Sequence, residues 1–316
     1  MPGYALVFPG QGSQYIGMGR DLHASSPAAR AVFDEADTAS QGLLTRLIFG
    51  GPAEQLTDTV NAQPAIFAVS MACWAALRAS AGVLEPAFVA GHSLGEYSAL
   101  AAAGVFSFAT GLHLVRERGR VMKDAGQAQP GGMAAILGLS AEDVSALCRQ
   151  ATEATGAPVV AANDNAPGQI VISGAHEAVQ AASELAKGRG AKRVLPLAVS
   201  IAPHSPLMQP AAEHLAPILR QTEFRAPHPP VIGNVGARPL TCADQVMAEL
   251  YAQLTSPVCW TDSIRFLVGE GISTFIEVGP KDVLTGLIKR IAPEATCIPC
   301  GTVEGVEQAT RLLREQ

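Results

Sequence analysis

Charge is scarce in this chain: 16% of its 316 residues are Asp, Glu, Lys or Arg, where an ordinary globular protein carries about 25%. With 48% of its residues hydrophobic, it can bury a large core and is no solvated, unstructured tail. A basic block is missing as well. The net charge of −6 and the pI near 5.7 leave nothing to neutralise a run of phosphates, which excludes nucleic acid as a partner. Tyr4-Ala5-Leu6-Val7-Phe8 runs into a glycine turn with neither a basic n-region nor a small-residue cleavage site, so no secretory signal is read there. No apolar run reaches the ~20 residues of a membrane span. The most apolar helical stretch, Ala65 to Leu77, contains Ser70 and stops at Arg78, and is expected as a buried core helix. A cysteine framework is absent too: cysteines 73, 148, 242, 259, 297 and 300 are scattered, which argues against disulfides. Cys297-Ile298-Pro299-Cys300 has no second pair to complete a zinc site, and it reads as a late strand rather than the helix start a redox motif needs.

What is present alternates. A strand at 4–8, a helix near 63–80, a strand at 87–91 and helices from 94 to about 125 make α/β patterning. Residues 127–132 read as a linker, and beyond them the order changes to strand 133–138, helix 141–155, strands 158–162 and 169–173, helix 176–189 and strand 192–197. This β-α-β-β-α-β order predicts a ferredoxin-like small domain, whose first helix opens on a capping-box spacing at Ser140 and Asp143. From about 200 the α/β alternation resumes, through helix 206–220, strand 231–234, helices 244–254 and 260–270, strand 273–278 and helix 281–291. The expected division is therefore a large α/β domain of residues 1–127 and 198–316 with residues 128–197 inserted, and a cleft between the two, where ligand sites are often found.

Gly91-His92-Ser93-Leu94-Gly95 lies between the strand Ala87-Phe88-Val89-Ala90 and a run of helix formers. That is the context of a G-x-S-x-G nucleophile elbow, in which a tight turn with glycine on each side presents the serine hydroxyl at a helix amino terminus. A serine needs a base to take its proton. Of seven histidines, His204 is the candidate: it follows a strand reading of Leu195 to Ser200 and precedes a helix start at Ser205-Pro206, so it sits at a strand end facing the cleft. A structural histidine is the alternative. Gly10-Gln11-Gly12-Ser13-Gln14 lacks the third glycine of a dinucleotide fingerprint, because Tyr15 occupies that place, and no Walker lysine follows. Its backbone amides are better suited to an oxyanion hole, together with the amide after Ser93.

Phe8-Pro9-Gly10-Gln11-Gly12-Ser13-Gln14, Gln63-Pro64-Ala65, Gly91-His92-Ser93-Leu94-Gly95-Glu96, Arg118-Gly119, Asn165 to Gln169, His204 and Glu277-Val278-Gly279-Pro280 together resemble the malonyl-CoA:acyl carrier protein transacylase family over essentially the whole chain. The resemblance implies an α/β-hydrolase-like large domain with a ferredoxin-like insert. It also implies Ser93 as acylated nucleophile, His204 as base and later acid, and the N–H groups of Gln11 and Leu94 as oxyanion donors. Arg118 would grip a malonyl carboxylate through its guanidinium fork, although Arg116 and Arg120 share its helical stretch. The carbonyl of Gln253 would orient the histidine in place of a triad carboxylate, and Gln63, Asn165 and His92 would line the substrate pocket. No cofactor is implied, since coenzyme A arrives as the substrate's thioester. The implied partners are malonyl-CoA and an acyl carrier protein, with the chain a cytoplasmic monomer. One departure stands out: Ile201-Ala202-Pro203-His204 matches neither tetrapeptide associated with malonyl or methylmalonyl choice, whereas Leu94 resembles the malonyl type. Two rival readings are a serine esterase or thioesterase, which would need an acid between Ser93 and His204, and a catalytically silent binding subunit, which would lack the Ser93 and His204 pair.

Overall fold

The computed structural model describes residues 3–315. Its larger sheet has six strands in the order β10-β9-β1-β2-β7-β8, with β1 Tyr4–Phe8, β2 Phe88–Gly91, β7 Val231–Ile232, β8 Pro239–Leu240, β9 Thr274–Glu277 and β10 Thr296–Pro299. All pairings are parallel except β7 with β8. A parallel strand inside such a sheet is covered on both faces and reads as one apolar run. β1 does so: Leu6 and Phe8 enter one core while Ala5 and Val7 enter another on the opposite face, all fully buried.

The second sheet, in the order β4-β5-β3-β6, is antiparallel throughout and is built from β3 Gly131–Leu137, β4 Val159–Ala166, β5 Gln169–Ala175 and β6 Arg193–Pro196. Helices Ala141–Thr155 and His176–Gly188 lie between its strands in the expected chain order and share their own core with it. Ser140 caps the first of these helices by accepting the Asp143 N–H, as its spacing predicts. β4 is also joined to the larger unit: Val258 N–H donates to Ala162 O at 2.9 Å and Asp164 N–H donates to Val258 O at 3.0 Å.

Several boundaries differ from the sequence reading. The supposed linker at 127–132 does not exist as such, because helix Phe108–Ala128 continues into it and β3 begins at Gly131. The strand expected to reach Ser200 ends at Pro196, and residues 197–203 form no regular element; proline supplies no N–H to a ladder. The helix expected from 63 starts at Thr59, where the Asp58 carboxylate accepts the Val60 N–H, and runs to Ala81. Among the described residues it is the helix long and apolar enough to cross a membrane, and 78% of its most apolar window is buried inside the protein. Four helices between Arg20 and Thr57 and a last one at Val303–Glu315 were not legible beforehand. Three of the first four span five to eight residues, too few turns to display more than about two periods, and the remaining one, Pro27–Ser40, buries only Ala29, Phe33 and Ala36 among polar residues and alanines.

Candidate active site

The C-terminal ends of β1 and β2 point the same way, and the turns that follow them meet. β2 ends at Gly91, Ser93 occupies the next turn, and helix Gly95–Ala102 leaves it. The two motif glycines are required by space. A Cβ on Gly91 would lie 2.0 Å from the Gly95 carbonyl, and one on Gly95 would lie 2.0 Å from Phe8 O. Ser93 takes φ 52, a left-handed conformation that an L-residue holds only when its surroundings impose it. Asn234 imposes it: its Oδ1 accepts the Ser93 N–H at 2.7 Å while its Nδ2 donates to Gly91 O at 2.7 Å, bracing both limbs of the elbow.

Ser93 Oγ lies 2.8 Å from His204 Nε2, and His204 Nδ1 lies 2.8 Å from the carbonyl oxygen of Gln253. A carbonyl can only accept, so Nδ1 carries the ring proton and Nε2 is left as the acceptor for the serine hydroxyl. His204 has φ 60, and its backbone N–H is anchored to Leu254 O at 2.9 Å. Burial, with the nearby Arg118 charge second, lowers its pKa to about 3, so the imidazole is neutral at ordinary pH and able to take a proton.

Arg118 is buried beside them, 1% exposed. Its Nη2 donates to Ser93 Oγ at 3.1 Å and to Gln253 Oε1 at 2.9 Å, and its Nη1 donates to Gln63 Oε1 at 2.8 Å. Its carbon lies 5.6 Å from the centre of the Tyr97 ring, within cation–π range. Among the described residues it forms no ion pair, which leaves a buried cation facing the Ser93 hydroxyl. Arg116 and Arg120 are exposed on the same helix; Arg116 donates to Ala39 O at 2.8 Å, and Arg120 pairs with Glu117 and Asp124.

Gln253 serves four neighbours. Beyond holding His204 and accepting from Arg118, its Nε2 donates to Ser93 O at 3.0 Å and to the carboxyl of Glu96. Glu96 is fully buried and also accepts the Asn234 N–H at 3.1 Å; burial, and then the neighbouring Glu249, push its pKa well above the usual carboxylate range. His92 stands in the cleft wall with Nε2 2.7 Å from Asn165 Oδ1 and its ring edge-on to Trp260. It joins the elbow to the smaller unit. Burial lowers its pKa.

A cavity of about 360 Å³ opens over this cluster, lined by Gln11, His92, Ser93, Arg118, Asn165 and His204 among others. A wider hollow of about 960 Å³, around Arg78, Leu84 and His228, lies beside the start of β2, whereas Ser93 follows its end. Every side chain singled out from the sequence thus comes to one place, and Leu94 is buried directly behind the serine. Asn234 and Glu249 were missed, and Glu96 was seen only as a motif letter. No periodicity marks Asn234 and Glu249, because each reaches the site from a loop or helix far away in the chain, and Glu96, although it adjoins the elbow, shows its role only through the partners packing brings to it. Among the described residues no acid meets His204: Asp124 is on the surface with Arg120, the Asp143 carboxylate accepts from the Ser140 hydroxyl at the start of its helix, and Asp164 accepts from Thr261 at 2.6 Å.

Residues 5–310 match the family model described as "Acyl transferase domain". The chain is 47% identical to the malonyl CoA-acyl carrier protein transacylase of Bacillus subtilis (strain 168) over 312 residues, covering 99% of this chain and 98% of that one. It superposes on the malonyl CoA-acyl carrier protein transacylase of Coxiella burnetii with a TM-score of 0.95 at 39% identity, over 98% of each chain. It is similar, with a TM-score of 0.93 at 40% identity over 98% of this chain and 99% of that one, to a malonyl-transacylase solved in complex with its type II PKS acyl-carrier protein. The chain belongs to the malonyl-CoA:acyl carrier protein transacylase family.

Proposed function

We propose that this protein transfers a malonyl group from malonyl-CoA to the phosphopantetheine thiol of an acyl carrier protein through an acyl-Ser93 intermediate. The observation that carries the reading is the shared position of Ser93 Oγ, 2.8 Å from a neutral imidazole acceptor and 3.1 Å from a buried guanidinium without an ionic partner. His204 Nε2 takes the hydroxyl proton as Oγ attacks the thioester carbonyl. The carbonyl oxygen becomes an oxyanion that accepts hydrogen bonds from the N–H groups of Gln11 and Leu94; among the described residues neither N–H has a protein partner, while those of Ser93 and Gly95 are used by Asn234 and His92. Collapse breaks the C–S bond, and the proton on Nε2 passes to the departing coenzyme A sulfur. The carrier thiol then gives its proton to Nε2 as its sulfur attacks the malonyl ester; collapse breaks the bond from the acyl carbon to Ser93 Oγ, and Nε2 returns the proton to that oxygen. In this reading Gln63, Asn165 and His92 shape the acyl pocket, coenzyme A is part of a substrate, and the chain acts as a cytoplasmic monomer. The fold is read as an α/β-hydrolase-like domain of residues 1–127 and 198–316 with a ferredoxin-like insert at 128–197; the parallel and antiparallel sheets support that division.

Arg118 supplies the choice of acyl group. A malonyl carboxylate must shed water to enter, and charge-assisted hydrogen bonds, worth about 1.5–3 kcal/mol each, offset that cost. An acetyl group gains nothing from the guanidinium. Arg118→Ala is expected to slow malonyl loading about ten- to a thousandfold while acetyl loading holds or rises, read as the ratio of acyl-enzyme formation rates from the two thioesters. An unchanged ratio in a folded variant would place dicarboxylate selection elsewhere. A thioesterase would share the elbow but consume malonyl-CoA equally well without carrier protein, so turnover is expected to be slow until carrier is added. Equal rates with and without carrier would favour hydrolysis.

A further inference from the structure

A single line of hydrogen bonds runs from Arg118 to Gln11. Arg118 Nη1 donates to Gln63 Oε1 at 2.8 Å, Gln63 Nε2 donates to the Thr59 hydroxyl at 2.9 Å, and that hydroxyl donates to Gln11 Oε1 at 3.1 Å. Direction is set at the guanidinium, which can only donate. Gln63 must therefore turn its oxygen toward Arg118 and its NH₂ toward Thr59, and a hydroxyl that already accepts there sends its own proton on to Gln11. The bonds all point one way, so each polarises the next.

Packing holds the line in place. Thr59 and Gln63 are four residues apart on helix Thr59–Ala81 and so lie on one face of it, and both are buried. Gly119, the neighbour of Arg118, lets the arginine's helix close on this turn: a Cβ there would stand 2.9 Å from the Thr59 carbonyl oxygen. At the far end Gln11 is exposed on the turn after β1, and among the described residues Thr59 is the side-chain partner of its amide oxygen. Lys281 Nζ steadies the same turn from another side, at 3.0 Å from Gly12 O.

We propose that Thr59 is a positioning residue that, through Gln63, couples the carboxylate-gripping Arg118 to Gln11 and so places the Gln11 N–H in the oxyanion hole; this rests on the roles proposed above for Arg118 and Gln11. Thr59→Val keeps the shape and removes the hydroxyl, and Thr59→Ser keeps the hydroxyl. The rate of acyl-enzyme formation is measured with malonyl-CoA and with acetyl-CoA over a range of concentrations, beside Arg118→Ala and with thermal melts of each variant. At saturation T59V is expected to acylate about tenfold slower, the worth of one hydrogen bond, and to do so with both thioesters because both form the oxyanion. The malonyl-CoA KM should stay within about twofold, since an interaction made in the transition state leaves ground-state binding alone. T59S should restore the rate. A wild-type rate in T59V, an effect on KM alone, or a loss that T59S does not repair would overturn the proposal. Should T59V melt early, Thr59→Ala is held to the same criteria. An unchanged malonyl-to-acetyl ratio in R118A would instead overturn the reading beneath it, and the proposal with it.

Discussion

Ser93→Ala is expected to yield no covalent malonyl adduct and to lose turnover on the order of a millionfold, as when a serine nucleophile is removed elsewhere. Ser93 Oγ is the hydroxyl that His204 Nε2 reaches, at 2.8 Å, and the Nε2 of His92 stays engaged by Asn165 in the variant. The substitution should leave the fold intact. Asn234 holds the Ser93 backbone N–H rather than its side chain, and alanine meets the same cost at φ 52 that serine already bears. Intact mass after incubation with malonyl-CoA decides the matter: a persisting adduct of malonyl mass on the variant would remove Ser93 from its role.

His204→Ala is expected to slow both acylation and transfer to the carrier by about 10²–10⁴-fold, the range of a positioned general base. Both half-reactions should suffer, because in the proposed reaction the same Nε2 takes a proton from serine in one and from the carrier thiol in the other. With the histidine pKa lowered to about 3 by burial and by Arg118, the wild-type rate in the free enzyme should not fall as pH drops through 6.5, the ordinary histidine value. Protonation would silence the base only near the lowered value. A malonyl carboxylate on Arg118 cancels the second of those causes, so bound substrate should raise the basicity of the imidazole at the moment it is used. Single-turnover acylation against pH tests this. A decline centred near the ordinary histidine value, or unchanged transfer in the alanine variant, would sink the assignment.

Much of this was legible in the chain itself. The apolar run of β1, the alternation around it and the β-α-β-β-α-β order between 131 and 196 follow from local patterns, which need only neighbouring residues. The elbow is local as well, since Gly91 and Gly95 flank Ser93 and their need for space arises within one turn. What could not be read locally is the support beneath that turn. Arg118 stands three or four residues from Leu114, Val115, Val121 and Met122, on the apolar stripe of its helix, while Arg116 and Arg120 lie off it; that this stripe meets the serine is set by packing far along the chain. Asn234, Gln253 and Glu96 stand 141, 160 and 3 residues from Ser93, yet they share one hydrogen-bonded cluster under it. Local sequence determined most of the strands, the β-α-β-β-α-β order and the turn that carries the serine, because turn geometry and apolar periodicity are short-range constraints. Local pattern left His204 and Arg118 among alternatives that the resemblance separated; tertiary structure brought that imidazole and guanidinium to the serine hydroxyl and the Gln253 carbonyl behind the imidazole, because buried polar groups must find partners wherever the fold brings them together.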